Sequence, residues 1–300
     1  MAERQHGGIE RVGVIVHGGR EGAVTAARAL VGWLQERGVL TRCLSGQDVG
    51  ADEEIDQAEF ARDLDLVLSV GGDGTLLRAA SIVGGFGVPV LGVKVGRLGF
   101  LTEVGPGEAP DLLAQIFEGK LVIDERLAVV GQPVDAPRTD AQWALNEIIV
   151  EKHARHRLIT LRALIAGEHV TTFSADGVIV ATPTGSTAYS FSARGPIVSP
   201  KVGCLLVTPV SPHMVFDRTI VLAPEEGVTL QVLGDEPGLL SADGRPGLEL
   251  PVGSAVHIRP AERPARLVRR ADSPTFFALL REKFSLPGQA PHGQTFQGPA

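Results

Sequence analysis

VLSVGGDGTLL (residues 67–77) is the stretch on which the fold turns. An apolar run of Val and Leu stops at two glycines, an aspartate, a glycine and a threonine, and a leucine pair then opens a helical pattern. Strand, glycine turn and helix start is how proteins surround a phosphate with backbone N–H groups. The loop has no lysine, which excludes a Walker-type loop, and its glycines are not spaced as in a dinucleotide fingerprint. Its one ionisable group, Asp73, has the same sign of charge as a phosphate. Three roles are open to it: capping a helix begun at Thr75, holding Mg²⁺, or taking a proton from an attacking hydroxyl. The last two belong to phosphoryl transfer.

Working outward, residues 11–17 (RVGVIVH) read as a buried strand, and 23–37 as a helix with Ala26, Leu30, Val31 and Leu34 on one face. Residues 64–70 form the second buried strand, 75–83 the helix after the loop, and 88–93 the third strand. Strands alternating with helices pair in parallel, so residues 1–125 are expected to form a Rossmann-like α/β domain, with 71–75 at the strands' carboxyl ends. Beyond about residue 125 the texture changes to short segments rich in Val, Ile, Leu and Thr, at 145–151, 157–165, 169–174, 177–182, 203–208, 227–233 and 254–259. Ala166–Gly167–Glu168 reads as a hairpin turn. Residues 126–271 are therefore expected to form a second, mostly β domain. Residues 274–284 (PTFFALLREKF) carry a helical pattern with Phe276, Phe277, Leu280 and Phe284, and the segment 272–286 is expected to pack back on the first domain. Residues 287–300 are rich in Gly, Pro and polar side chains and are expected to be a disordered tail.

The bulk properties narrow the function. A net charge of −7 with no basic arm argues against a general nucleic-acid partner. No apolar run reaches the length of a membrane span, so no membrane partner is expected. MAERQHGGIE at the start has no apolar core of a secretory signal. The only two cysteines, Cys43 and Cys204, lie in apolar strand-like settings and read as reduced thiols, which fits a cytoplasmic protein.

A second chemical stretch is ADGVIVATPTGSTAYSFS (175–192), a strand followed by a dense set of hydroxyls at Thr182, Thr184, Ser186, Thr187, Tyr189 and Ser190. Such density suits a ribose, a pyrophosphate or an amide substituent; Asp176 either caps the turn or accepts from a donor on the ligand. Asn146–Glu147 puts two polar residues into a strand pattern, either as a satisfied edge pair or as readers of an adenine amine and ribose hydroxyls. His153 and His156 have no companion ligands for a metal, and no protein metal site is expected. His17–Gly18–Gly19 resembles a nucleotide loop only loosely, and Arg266, Arg269 and Arg270 read as a solvated edge.

Taken together these stretches resemble the NAD kinase family, over about residues 11–284. The motifs are GGDGT (71–75), LGVKVGRLGFLTE (91–103), NE (146–147), ADGVIVATPTGSTAYSFSARGPIV (175–198), TPVSPHMVFDRTIVL (208–222) and SADG (241–244). GGDGT alone is shared with diacylglycerol-type lipid kinases; TPTGSTAYS with NE and GFLTE is specific. The resemblance implies transfer of a phosphoryl group from ATP or polyphosphate, with Mg²⁺ or another divalent metal on the ATP, to the 2′-hydroxyl of the adenosine ribose of NAD. It implies Asp73 as proton acceptor, Gly74 and Arg78 on phosphate, and Asn146 and Glu147 on the adenosine half. Asp176 would contact the nicotinamide half, while Thr187, Ala188, Tyr189, Ser190, Phe191 and Ser192 would line the dinucleotide. Arg157 and Ser174 would make further contacts, and Asp243 would help build a site between subunits of a homodimer or homotetramer. Two departures stand out: Lys94 where the family usually has Asn, and Arg194 where it usually has Gly. A lipid kinase sharing the loop and a non-catalytic NAD-binding regulator are the rival readings.

Overall fold

In the computed structural model, residues 8–96 and 99–286 are described, and the expected tail at 287–300 lies outside them. The first layer is a seven-stranded sheet. Its strands are β1 (Arg11–Val16), β2 (Leu40–Leu44), β3 (Glu53–Ile55), β4 (Leu66–Gly71), β5 (Val90–Lys94), β6 (Val122–Arg126) and β19 (Ala265–Arg269). The order is β3-β2-β1-β4-β5-β19-β6, parallel from β3 through β5 and β19, with β6 antiparallel at the edge. Helices α1 (Glu21–Gln35) and α4 (Ala109–Phe117) cover one face, burying Ala23, Ala27, Leu30, Leu34, Leu112, Leu113 and Ile116 against Val12, Val14, Leu68 and Val93. Helix α3 (Asp73–Val83) covers the other, through Leu76, Ala79, Ala80 and Val83. A short helix, α2 (Gln57–Phe60), places the buried Phe60 in the same cluster. The α/β architecture expected from alternation is present, yet β4 is the fourth strand of the chain and not the second.

The second half is a sandwich of two six-stranded sheets. One contains β7 (Val129–Pro133), β8 (Gln142–Ala144), β10 (Ile159–Ile165), β11 (Glu168–Ala175), β15 (Val228–Leu233) and β18 (Ala255–Pro260). The other contains β9 (Glu147–Lys152), β12 (Gly177–Ala181), β13 (Leu205–Val210), β14 (Ile220–Leu222), β16 (Gly238–Ala242) and β17 (Leu248–Leu250). Period-2 alternation sends Ile148, Val150, Val178 and Val180 inward against Leu161, Phe173, Leu230 and Ile258 of the facing sheet. On β9 and β12 the alternate residues Ile149, Ile179 and Ala181 are buried too, under Ala193 and Val198. The β10–β11 hairpin turns through Ala166 (φ 50°) and Gly167 (φ 82°), the two positive values a tight primed turn requires.

The chain returns to the first layer through β19, which slots between β5 and β6. The return therefore begins at residue 265, earlier than the 272 read from the sequence. Helix α6 (Phe276–Lys283), capped by the Thr275 hydroxyl accepting from Ala278 N at 3.2 Å, follows it. Its Phe276 meets Phe100 with ring centroids 6.4 Å apart, and Phe284 meets Phe191 at 4.9 Å. The last helix thus rests on the loop after β5 and on the hydroxyl-rich segment together.

Candidate active site

The glycine loop leaves β4 beside the loop that leaves β1, and the chain passes from β1 to β2 on one side and to β4 on the other. Between β1 and β4 the strand order reverses direction, and α/β sheets bind ligands at such a point, outside the carboxyl ends. A cleft of about 510 Å³ opens there, lined by His17, Gly18, Arg20, Asp73, Gly74 and Arg78, among others. Sequence reading found Asp73, Gly74 and Arg78. It set aside His17–Gly18, whose β1–β4 adjacency is a long-range fact.

Asp73 does not cap a helix from in front of it. The helix begins at Asp73 itself, after Gly72, which makes no side-chain cap. A carboxylate in the first turn is favoured by the positive end of the helix dipole. It faces the segment after β5: Oδ2 accepts from Phe100 N at 2.8 Å, and Oδ1 from Leu101 N and Thr102 N, each at 3.3 Å. Gly99 makes room for this clasp, because a Cβ there would lie 1.8 Å from Asp73 Oδ1. A carboxylate offers roughly four lone-pair directions, and the three amides leave about one, on Oδ2. One directed acceptor position at the mouth of a phosphate-sized cleft can take one proton.

The asparagine–acid corner opens β9. Leu145, Asn146 and Glu147 donate their backbone N–H groups to Asp243 Oδ2, Oδ1 and Oδ1, at 2.9, 2.8 and 3.2 Å. The carboxylate reaches them because Asp243 adopts φ 49°, in the left-handed region that aspartate tolerates. Asp243, expected at a site between subunits, is instead turned inward as the clamp of this corner. Glu147 is buried, receives one backbone N–H from Tyr189, and its Oε2 has no partner. Burial, with Asp243 nearby, pushes its carboxyl up to about 8. Burial also raises Asp243, whose three amides work against the rise. Of the two, Glu147 is the one that holds a proton.

The hydroxyl-rich stretch wraps this corner. Thr182 donates its hydroxyl to Leu145 O at 2.6 Å and accepts from Gly185 N at 3.1 Å. A 3-10 turn at Thr184–Thr187 leads into α5 (Tyr189–Ser192). Gly185 approaches so closely that a Cβ would stand 2.1 Å from Asn146 O. The Tyr189 phenol feels Glu151, Asp176 and Glu147 and is raised by burial first, which puts the expected nicotinamide-side and adenosine-side acids around one ring. Asp176 is held by an ion pair with Lys152. Leu145 shares a buried cluster with Leu76 and Leu101, so the corner and the Asp73 clasp are built over one piece of core.

Some expected contacts fall elsewhere. Ser190 is fully buried, its hydroxyl 3.0 Å from that of Thr208, so it anchors α5 to β13 and lines no ligand space. Phe191 has its ring on Phe284. Arg157 stands exposed in an ion pair with Glu236 at 3.6 Å, and Ser174 lies on β11. Arg269 is not part of a solvated edge: its guanidinium pairs with Glu103 at 3.0 Å, with side chains 11% and 2% exposed. Lys94 does not line the Asp73 cleft; its charge acts on Glu108. Arg194 has φ 68°, the geometry that explains the family's usual glycine there.

Comparison with known proteins agrees with this geometry. Residues 12–121 match the family described as the ATP-NAD kinase N-terminal domain, and 145–270 its C-terminal domain. The NAD kinase of Syntrophotalea carbinolica is 39% identical over 283 residues, covering 92% of this chain and 98% of that protein. The NAD kinase of Heliobacterium modesticaldum is 40% identical over 279 residues, covering 91% and 97%. Among solved structures, an NAD kinase from Archaeoglobus fulgidus in complex with ATP superposes with a TM-score of 0.73 at 26% identity, covering 93% of this chain and 100% of that one. Yeast NADH kinase complexed with NADH reaches a TM-score of 0.84 over 96% and 90% of the two chains, a likeness of fold at 23% identity. With both halves matched in order and relatives of this identity spanning their full length, the chain belongs to the NAD kinase family.

Proposed function

We propose that this protein moves the terminal phosphoryl group of ATP, or of inorganic polyphosphate, onto the 2′-hydroxyl of the adenosine ribose of NAD, with Asp73 as proton acceptor. The observation that carries the assignment is the clasped carboxylate of Asp73 at the mouth of the switch-point cleft. A pure binding module has no use for a carboxylate facing phosphate, and a lipid kinase has no use for a buried asparagine–acid corner under a hydroxyl-rich loop.

The ribose oxygen attacks the terminal phosphorus, the bond between that phosphorus and the bridging oxygen breaks, and ADP leaves with the electron pair. The hydroxyl proton passes to Asp73 Oδ2. Transfer runs through a loose transition state, so an ordinary aspartate suffices, orienting the oxygen early and accepting the proton late. Amides of the glycine loop, Gly74 and the guanidiniums of Arg20 and Arg78 meet the phosphates. Asn146 and protonated Glu147 read the adenosine half. Asp176, Thr187, Ala188, Tyr189 and Ser192 hold the rest of the dinucleotide, which assigns the β sandwich to NAD. Mg²⁺ would accompany the ATP phosphates and offset their charge, and no protein residue is assigned to it.

Two buried free thiols, Cys43 and Cys204, favour a cytoplasmic setting. Among the described residues no helix is long and apolar enough to cross a membrane. Exposed Val215, Phe216 and Val221 around the edge strand β14 favour a homo-oligomer. The test is direct: incubate the protein with NAD, Mg²⁺ and either donor, then add an NADP-specific dehydrogenase and its substrate. NADPH fluorescence is the expected result; none with ATP or polyphosphate, or phosphorylation of diacylglycerol instead, would overturn the assignment.

A further inference from the structure

Helix α3 carries Asp73 at its first residue and closes on Gly84, about 16 Å further along its axis. What Gly84 meets is Trp143, on β8 of the sandwich. Period-2 alternation sends Ala144 into the sandwich core and turns Trp143 and Leu145 the other way, into the cluster that holds Leu76, Ala80 and Val83 of α3. The approach is close: a Cβ on Gly84 would stand 2.5, 2.7 and 2.9 Å from Cε2, Cζ2 and Nε1 of the indole. The φ of Gly84 is −57°, open to any residue, so the indole and not the backbone calls for glycine. The indole Nε1 is buried and has no hydrogen-bond partner. A buried unpaired N–H lowers stability, and phenylalanine would fill an apolar seat without one. Trp143 is therefore not the residue that packing alone favours.

The backbone of Trp143 is tied to the asparagine–acid corner. Arg245 donates to Trp143 O, and its Nε donates to Ala242 O at 3.0 Å. Asp243, next in the chain after Ala242, accepts from the amides of Leu145, Asn146 and Glu147. Indole, Arg245 and clamped corner form one unit, and α3 is seated on it. We propose that Trp143 is a positioning residue: its indole, resting on Gly84, sets the distance and tilt between the helix that carries Asp73 and the corner that holds the acceptor. The inference rests on the kinase reading, which places the donor phosphates on the first layer and the adenosine on the sandwich. Each substrate can bind its own layer without the contact. Turnover needs the two in register, and an error of about 1 Å costs roughly 10²-fold.

Two variants of the full-length protein test this. Gly84→Ala pushes the indole off its seat by about 1 Å, the shift that brings a 2.5 Å approach to ordinary contact. Trp143→Phe removes the unpaired N–H and narrows the ring, and in the double variant the narrower ring accepts the methyl. In the coupled NADP assay each single variant should lower kcat about tenfold or more, with the KM for NAD and for ATP and the calorimetric Kd for NAD within about twofold of the unmodified chain. The double variant should turn over at least about threefold faster than Gly84→Ala alone. A merely structural contact would lower the Tm and leave kcat, measured well below the melt, where it was. Unchanged kcat in either folded variant, or losses that multiply in the double variant, would overturn the positioning role. Trp143→Phe, which only removes atoms, decides the matter by itself if the methyl of Gly84→Ala prevents folding. The two failures are distinct: a false kinase reading shows as no NADPH from the unmodified chain, a false positioning role only in the variants.

Discussion

Gly99→Ala tests the Asp73 clasp without touching a polar group. The φ of Gly99 is not left-handed, so the added methyl is the whole perturbation. Its Cβ would lie 1.8, 2.2 and 2.4 Å from Asp73 Oδ1, Cγ and Oδ2, and the carboxylate must retreat by about 1.2 Å to reach even a 3.0 Å contact. A bond of 2.8 Å to Phe100 N does not survive that retreat. Misplacing a reacting group by about 1 Å costs roughly 10²-fold in rate, equivalent to about 2.7 kcal/mol of barrier. Stability should fall less, by about 1–2 kcal/mol, because the site is only part-buried and water can replace the lost acceptor. The assay is kcat from the coupled NADP reaction, with a thermal melt alongside, for Gly99→Ala, Asp73→Ala and the double variant. If Gly99 acts through Asp73, the double variant turns over no more than about threefold slower than Asp73→Ala alone. Full turnover by Gly99→Ala, or a further 10²-fold loss in the double variant, would refute the reasoning.

Three further outcomes follow from the same geometry. Asp73→Asn should lower kcat by roughly 10²–10⁴ with the NAD affinity retained by calorimetry, because its NH₂ opposes at least one clasping amide and offers no base. Asp243→Asn should raise the KM for NAD about tenfold and destabilise the fold by about 1–3 kcal/mol, since one amide of the 145–147 corner then meets a donor; unchanged KM would remove its clamping role. Glu147 keeps a proton that the unfolded chain releases near 4.5, so its contribution is complete below that value and is lost as pH rises through about 8. The Tm should fall across this window, and the slope should shrink in Glu147→Gln; equal slopes would show that Glu147 is charged in the fold.

Much of the site was legible because its chemistry is local. Asp73 among glycines, Asn146–Glu147 in a strand and the Thr-Pro-Thr-Gly-Ser-Thr run each contradict their surroundings within a few residues. Elements that carry buried charge were not legible. Strand β2 hides Arg42, which bonds Glu53 at 2.8 Å and donates to Phe60 O and Arg62 O. Strands β6 and β19 carry Asp124 and Arg126, which pair with each other, and Arg126 and Arg269 also bond the distant Thr184 and Glu103, so their polar pattern reads as surface. His17 escaped for a related reason: its importance comes from β1 lying beside β4, and no spacing in the chain records that. Ser190 erred the other way, a hydroxyl that serves Thr208.

The seating of β19 between β5 and β6 also bears on how the molecule is made. While a ribosome is still producing the sandwich, the first sheet exposes one side of β5 and has no seat for β6. At about 5–20 residues per second, the stretch between them takes on the order of ten to thirty seconds to synthesise. For that interval the glycine loop exists on an unfinished layer, open to misplaced strand pairing. The enzyme's two halves are consequently not two folding events in succession but one, completed only when Ala265–Arg269 arrives.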